Sequence, residues 1–136
     1  MSEGHVVTTE PVAERVTVTV RGAVLADSTH ARRLHETGLP PRLYIPRADV
    51  DMSRLQPTAT TSHCPFKGDA VYWSAVVGDA TVVDVAWSYP NPIEGRDDIT
   101  ELICFFDEKV DAIAVDDAVV ERPDTPWSVL AEAEHP

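Results

Sequence analysis

The chain predicts an all-β, mainly antiparallel domain: a compact sheet sandwich with short irregular or helical segments. Three observations carry that expectation. "RVTVTVRGAVLADS" alternates Val16, Val18 and Val20 against Thr17, Thr19 and Arg21 before turning near Gly22, the period-two pattern of a hairpin with one wet face. From Ala70 onward, "AVYWSAVV", "VVDVAWSY", "ICFF" and "DAIAV" are rich in branched and aromatic residues and are separated by Gly, Pro, Asn and Asp. At 136 residues, 43% of them hydrophobic, the chain has the length of one domain and the material for one core.

Taken in order, residues 1–14 show little periodicity and are expected to be frayed or lightly docked, as are residues 123–136, leaving one domain over 15–122. After the first hairpin, "THARRLHETG" has the composition of a short helix with Ser28 or Thr29 as cap and Gly38 as stop, a strand being the alternative. Pro40, Pro41 and Pro46 bracket "RLYI", long enough for a short extended piece, and "DVDMSRLQ" suits a helical turn or two. Between "AVYWSAVV" and "VVDVAWSY" the turn takes either two residues, Gly78 and Asp79, or four, Gly78 to Thr81. Either choice puts Tyr72, Ser74 and Val76 on one face with Val85, Trp87 and Tyr89, and the four-residue turn sets Tyr72 directly against Trp87. Both faces of this hairpin are largely apolar, so both are expected to be covered. The face with Tyr72, Trp87 and Tyr89 is either a pocket wall or plain core, since Tyr and Trp bring polar ends that need partners when buried.

Composition excludes several classes of function. A net charge of −12 repels phosphate backbones and no basic run interrupts it, so nucleic acid is not an expected partner. The longest apolar runs are too short to cross a bilayer, and "MSEGHVVTTEP" lacks the basic and apolar regions of a secretory leader, so the cytoplasm is the expected compartment. Two cysteines, Cys64 and Cys104, make no disulfide framework. With no Cys-x-x-Cys, and with His30 and His35 off the spacing of one helix face, no metal and no other cofactor is expected. Phosphate loops, dinucleotide fingerprints and nucleophile elbows are missing from the sequence.

Candidate chemistry concentrates in "TSHCPFKGDAVYWS". Lys67 is one of two lysines in the chain and follows a Cys-Pro at the mouth of a strand. It reads as a base, a Schiff-base amine or an anion anchor, or else as a solvated turn residue. His63 is a general acid or base, or an exposed loop histidine. Cys64 reads as a structural thiol, because sequence neighbours in an extended chain point apart. Asp27, Glu36 and Asp49 are acids near breaks in regular segments.

"VLADS", Glu36, "PPRLYIPRADV", "TSHCPFKGDAVYW", "AWSYPNP" and "FFDEKVD" together resemble the DUF427 family of small, mostly bacterial proteins of unknown function, from about Val16 to about Val120. The resemblance implies a compact all-β fold of the Mss4-like, β-tent type, some members of which bind small planar ligands in an aromatic cage or hold zinc through two Cys-x-x-Cys pairs that this chain lacks. The family's occasional nucleotidyltransferase label finds no Gly-Ser with Asp-x-Asp arrangement here. The pattern falls on Asp27, Ser28, Glu36, Tyr44, Pro46, Asp49, Cys64, Lys67, Gly68, Tyr72, Trp87 and Tyr89, with Phe66 where a tyrosine is usual, and it draws "ARRLHE" toward an extended conformation. The resulting expectation is a small-molecule pocket walled by Tyr44, Tyr72, Trp87 and Tyr89. Lys67 is its charged anchor for an anionic or planar metabolite and Glu36 the acidic partner. Acid–base or amine catalysis by Lys67, Glu36 and His63, or a purely structural role, are the alternatives.

Overall fold

The computed structural model describes residues 5–120. They form strands β1 (Val7–Val12), β2 (Val16–Val20), β3 (Ala23–Ser28), β4 (Ala31–Glu36), β5 (Leu39–Ile45), β6 (Leu55–Cys64), β7 (Gly68–Val77), β8 (Ala80–Ser88), β9 (Ile103–Phe105), β10 (Ala112–Val115) and β11 (Ala118–Val119). Single 3-10 turns lie at Arg47–Asp49, Met52–Arg54 and Asp97–Ile99. Every strand pairing is antiparallel, so the fold class is the one the sequence predicts. A seven-stranded sheet runs in the order β1-β4-β5-β9-β8-β7-β6 and a four-stranded sheet in the order β11-β10-β2-β3. No helix among the described residues is long and apolar enough to cross a membrane.

The alternation in β2 buries Val16, Val18 and Val20 completely. With Leu25 and Ile113 they enter a core shared with Ile45, Ile103 and Phe105 of the larger sheet. A second cluster gathers Leu34, Tyr44, Trp87, Tyr89, Cys104 and Phe106, drawn from the larger sheet and the loops after β8 and β9. The seven-stranded sheet is therefore apolar on two faces, as its runs of Val, Ile and aromatics require.

Three local expectations change, and one open alternative, helix or strand for "ARRLHE", is decided in favour of the extended form that the family pattern implies. Residues 1–14 are not frayed throughout: β1 lies at the sheet edge, paired along its length with β4. Val12 is buried, Thr9 donates to Asp98, and the Arg96 guanidinium donates to the Val7 carbonyl. An edge strand with one wet face and Pro11 at its end carries too few apolar residues to register as periodic. "ARRLHE" is strand β4, buried at Ala31, Leu34 and Glu36, so pairing on both sides overrides its helical composition. Residues 55–64 form the edge strand β6, whose Thr- and Ser-rich side chains face water, with Pro57 tolerated at an edge. The β7–β8 turn takes two residues, Val77 facing Ala80, and the register then shifts between Trp73 and Ala75, where Asp84 adopts φ 51°. Past that bulge Tyr72 faces Trp87 as in the longer-turn version, while Val85 leaves their face for the inter-sheet core. The expected tail, 123–136, lies outside the described residues.

Gly68 opens β7 at φ +122°, and a Cβ there would meet the Pro92 Cα at 3.2 Å, the Asn91 carbonyl oxygen at 3.3 Å and the Ile93 nitrogen at 3.3 Å. Backbone on three sides cannot yield as a flexible side chain would. Gly68→Ala is expected to destabilise the domain by about 1–3 kcal/mol, read as a lowered urea midpoint with unchanged slope.

Candidate functional site

One rung of cross-strand neighbours builds the second face of the large sheet. Tyr44 of β5 pairs with Cys104 of β9, Cys104 with Trp87 of β8, and Trp87 with Tyr72 of β7. Directly opposed residues share a face, and the two-residue period adds Arg42, Leu34, Glu36 and Ala70 to it. Ring packing fixes the rung: Trp87 meets Phe106 at 4.4 Å and Tyr44 edge-on at 6.3 Å, and its indole N–H donates to the Tyr44 hydroxyl at 3.2 Å.

Lys67 reaches this face from the turn between β6 and β7. Its N–H donates to the Cys64 carbonyl and its own carbonyl accepts from Ile93, so the turn is held from both ends. The Lys67 ammonium donates to Glu36 Oε1 at 2.5 Å, and both residues are buried. Glu36 Oε2 bonds the His5 Nε2 at 2.9 Å, while the His5 ring stacks on Phe66 at 3.8 Å. Between these groups lies a cavity of about 190 Å3, lined among others by Glu36, Arg42, Tyr44, Lys67, Tyr72, Trp87, Tyr89 and Phe106.

Electrostatics inside the cavity is locally balanced. Arg42 forms a bidentate pair with Glu108 at 2.8 and 3.0 Å, bonds Asp107 at 3.1 Å, and lies over Trp87 and Phe106. Burial is the largest influence and opposes its charge, but the Glu108 bond together with the negative charge around it, Asp107 included, outweighs burial, so it is held more firmly protonated than an ordinary arginine. Burial raises the Asp107 carboxyl above its usual value, with Arg42 working against the rise. Burial also pushes the Tyr44 and Tyr89 hydroxyls and the Cys104 thiol up, keeping all three neutral at physiological pH. Among the described residues the Tyr89 hydroxyl has no hydrogen-bond partner, whereas the Tyr72 hydroxyl shares a 2.8 Å bond with Ser62.

Of the residues singled out from the sequence, the structure brings together Lys67, Glu36, Tyr44, Tyr72, Trp87 and Tyr89. His63 does not join them. Ser62 pairs with Ala70 on the pocket face, so its neighbour His63 must point the other way, where it bonds Asp69 at 2.6 Å in full view of solvent. The histidine at the site is His5, in a segment with no periodic signal. Arg42 was also missed, although it stands two residues before Tyr44 and a strand reading of "RLYI" places both on one face. Asp27 pairs with Arg15 and Asp49 with Ser28, both away from the cavity. Cys64 and Cys104 are free thiols. Among the described residues, no group of three or more His, Cys, Asp or Glu side chains is placed to hold a metal ion.

Fold and site together define a small all-β domain with an aromatic, ion-paired pocket on one face of its larger sheet. The family described as Domain of unknown function (DUF427) matches residues 8–116, and the chain belongs to it. A comparison with curated proteins finds no match.

Removing one member of a buried pair strands the other. Lys67→Met keeps the aliphatic stem but leaves Glu36 with His5 alone, and is expected to cost about 3 kcal/mol by urea denaturation at pH 7. Asp107 tests the opposite sign. An acid whose folded-state pKa is raised loses stability as pH climbs from its ordinary value of 3.8 through the folded one. Asp107→Asn, which retains an acceptor for Arg42, should gain in urea midpoint relative to wild type at pH 7, and the gain should vanish near pH 3.

Proposed function

We propose that the domain binds a small planar metabolite, with aromatic rings as walls and Lys67 as the charged anchor for an oxygen-bearing or anionic group. The observation that carries this is the buried Lys67–Glu36 pair opening onto a cavity walled by Tyr72, Trp87 and Phe106. An apolar pocket with a few convergent polar groups is the usual form of a small-molecule site. A structural role would call for neither a buried ammonium nor a hollow beside it. The negative charge of the chain argues against nucleic acid as the partner, and two unpaired thiols fit a reducing compartment such as the cytoplasm.

A thermal-shift panel of metabolites tests the proposal, since a ligand at 100 times its dissociation constant adds about 2.7 kcal/mol of stability. At least one compound is expected to stabilise the wild-type protein and to lose tenfold or more in affinity for Tyr72→Leu, whose half-buried site tolerates the change. A panel without any stabilising compound would overturn it.

One arrangement favours a second reading, catalysis. Glu36 is shared by His5 and Lys67, the kind of linked acid–base set that proton transfer uses. The two readings differ at the amine: an ion-paired ammonium anchors, whereas a catalytic amine condenses with carbonyl compounds. Borohydride treatment in the presence of carbonyl metabolites is expected to leave Lys67 unmodified by mass spectrometry. Selective trapping at Lys67 with Lys109 untouched would move the protein to the enzyme class.

A further inference from the structure

We infer that the ligand is a single planar ring, taken up uncharged, whose edge carries a carbonyl beside an N–H: a cyclic amide or imide such as a pyridone or pyrimidine base. This rests on the cavity being a ligand site, as proposed above, and four observations narrow the occupant.

Size comes first. A cavity of about 150 Å3 is enough for benzene, so the 190 Å3 here holds one ring with small substituents rather than a fused pair or a nucleotide. Shape agrees. Tyr72 and Phe106 both line the cavity and lie within 16° of parallel, with centroids 6.5 Å apart. The near-parallel rings give the cavity an aromatic lining against which a flat ring packs more fully than a tetrahedral skeleton does.

The polar end decides the chemistry. Lys67 Nζ and Glu36 Oε1 stand 2.5 Å apart on the lining, so the pocket presents a donor immediately beside an acceptor. An ammonium has three N–H groups, of which Glu36 takes one, and each carboxylate oxygen keeps a second lone pair after bonding Lys67 or His5. The complementary edge is an acceptor beside a donor in one plane, which a cyclic amide supplies. The Tyr89 hydroxyl adds a neutral donor or acceptor on the same wall.

Charge excludes the competing carboxylate. Lys67 is paired with Glu36, and Arg42 with Glu108 and Asp107, so neither cation is left as surplus for an anion. A carboxylate at the Lys67 end would also lie against Glu36, two like charges in a site shielded from water.

Titration calorimetry on the full chain with 2-pyridone, N-methyl-2-pyridone, benzoate and hypoxanthine tests this. Wild-type protein should bind 2-pyridone at least tenfold more tightly than its N-methyl derivative, which lacks the donor, and at least tenfold more tightly than benzoate or hypoxanthine. Glu36→Gln, checked for folding by circular dichroism, should weaken 2-pyridone and tighten benzoate, because the repelling carboxylate is gone and Lys67 loses its counter-charge. Equal binding of the two pyridones, or tighter binding of benzoate or hypoxanthine, would overturn the inference while leaving the pocket a ligand site. The wild-type comparisons stand even if the variant fails to fold. Failure of these four and of every panel compound to bind would instead sink the pocket reading itself.

Discussion

The buried ion pair between Lys67 and Glu36 constrains the shape of everything around it. Glu36 ends β4 and Lys67 precedes β7, and in the sheet these strands are separated by β5, β9 and β8. Four steps of about 4.8 Å would set flat strands β4 and β7 some 19 Å apart, yet the two charged groups meet at 2.5 Å. The two long side chains bridge part of that span and the right-handed twist and curvature of the sheet bridge the rest, so the pair closes one end of the cavity that both residues line. His5 on Phe66 repeats the closure one strand further out, bringing the segment before β1 onto the same turn. Buried charge pairs seldom add net stability over apolar residues of the same size. What this one contributes is position: it places a donor and an acceptor side by side at the edge of an aromatic lining.

Arg42, itself on the cavity lining, plays a corresponding part. Its guanidinium bonds Glu108 and Asp107 and covers the faces of Trp87 and Phe106, so the residues that shape the pocket floor are tied to the chain after β9. Glu108 is fully buried and could not be so without such a partner. The two charged pairs lie at different parts of one rung-built face, and the aromatics between them are locked by the Trp87 to Tyr44 hydrogen bond. A site held in this way is pre-organised, and pre-organisation lowers the cost of ordering a bound ligand.

Much of this was legible in the sequence wherever period two was strong. The β2 valines and the Tyr72, Trp87, Tyr89 face followed from alternation, and the latter survived a two-residue turn plus a bulge because the bulge restored the pairing of Tyr72 with Trp87. Lys67 stood out as one of two lysines and Glu36 as an acid near a break in a regular segment, while Tyr44 came from the family pattern. The failures at the two ends of the large sheet have one physical source, which is that edge strands need few apolar residues. β1 and β6 are polar on their wet sides, so no pattern announced them, and with them went the facts that His5 is docked and that His63 faces solvent. Once Ser62 is known to pair with Ala70, the side taken by His63 follows from parity alone.

The lysines give the last step. Arginine supplies nine of the eleven basic residues, a bias that base composition explains without any chemistry. It does not explain where lysine was kept. Both lysines are buried: Lys67 at the pocket end and Lys109 over the ring of Phe106, which forms part of the pocket wall. Lys109 donates to the Val83 carbonyl across the same wall. A planar guanidinium needs a broad fork of acceptors, as Arg42 has in Glu108 and Asp107, whereas a compact ammonium fits a narrow site with one strong partner. At Lys67, Glu36 takes one of the three ammonium N–H groups, and the others are available to whatever fills the cavity that this residue lines.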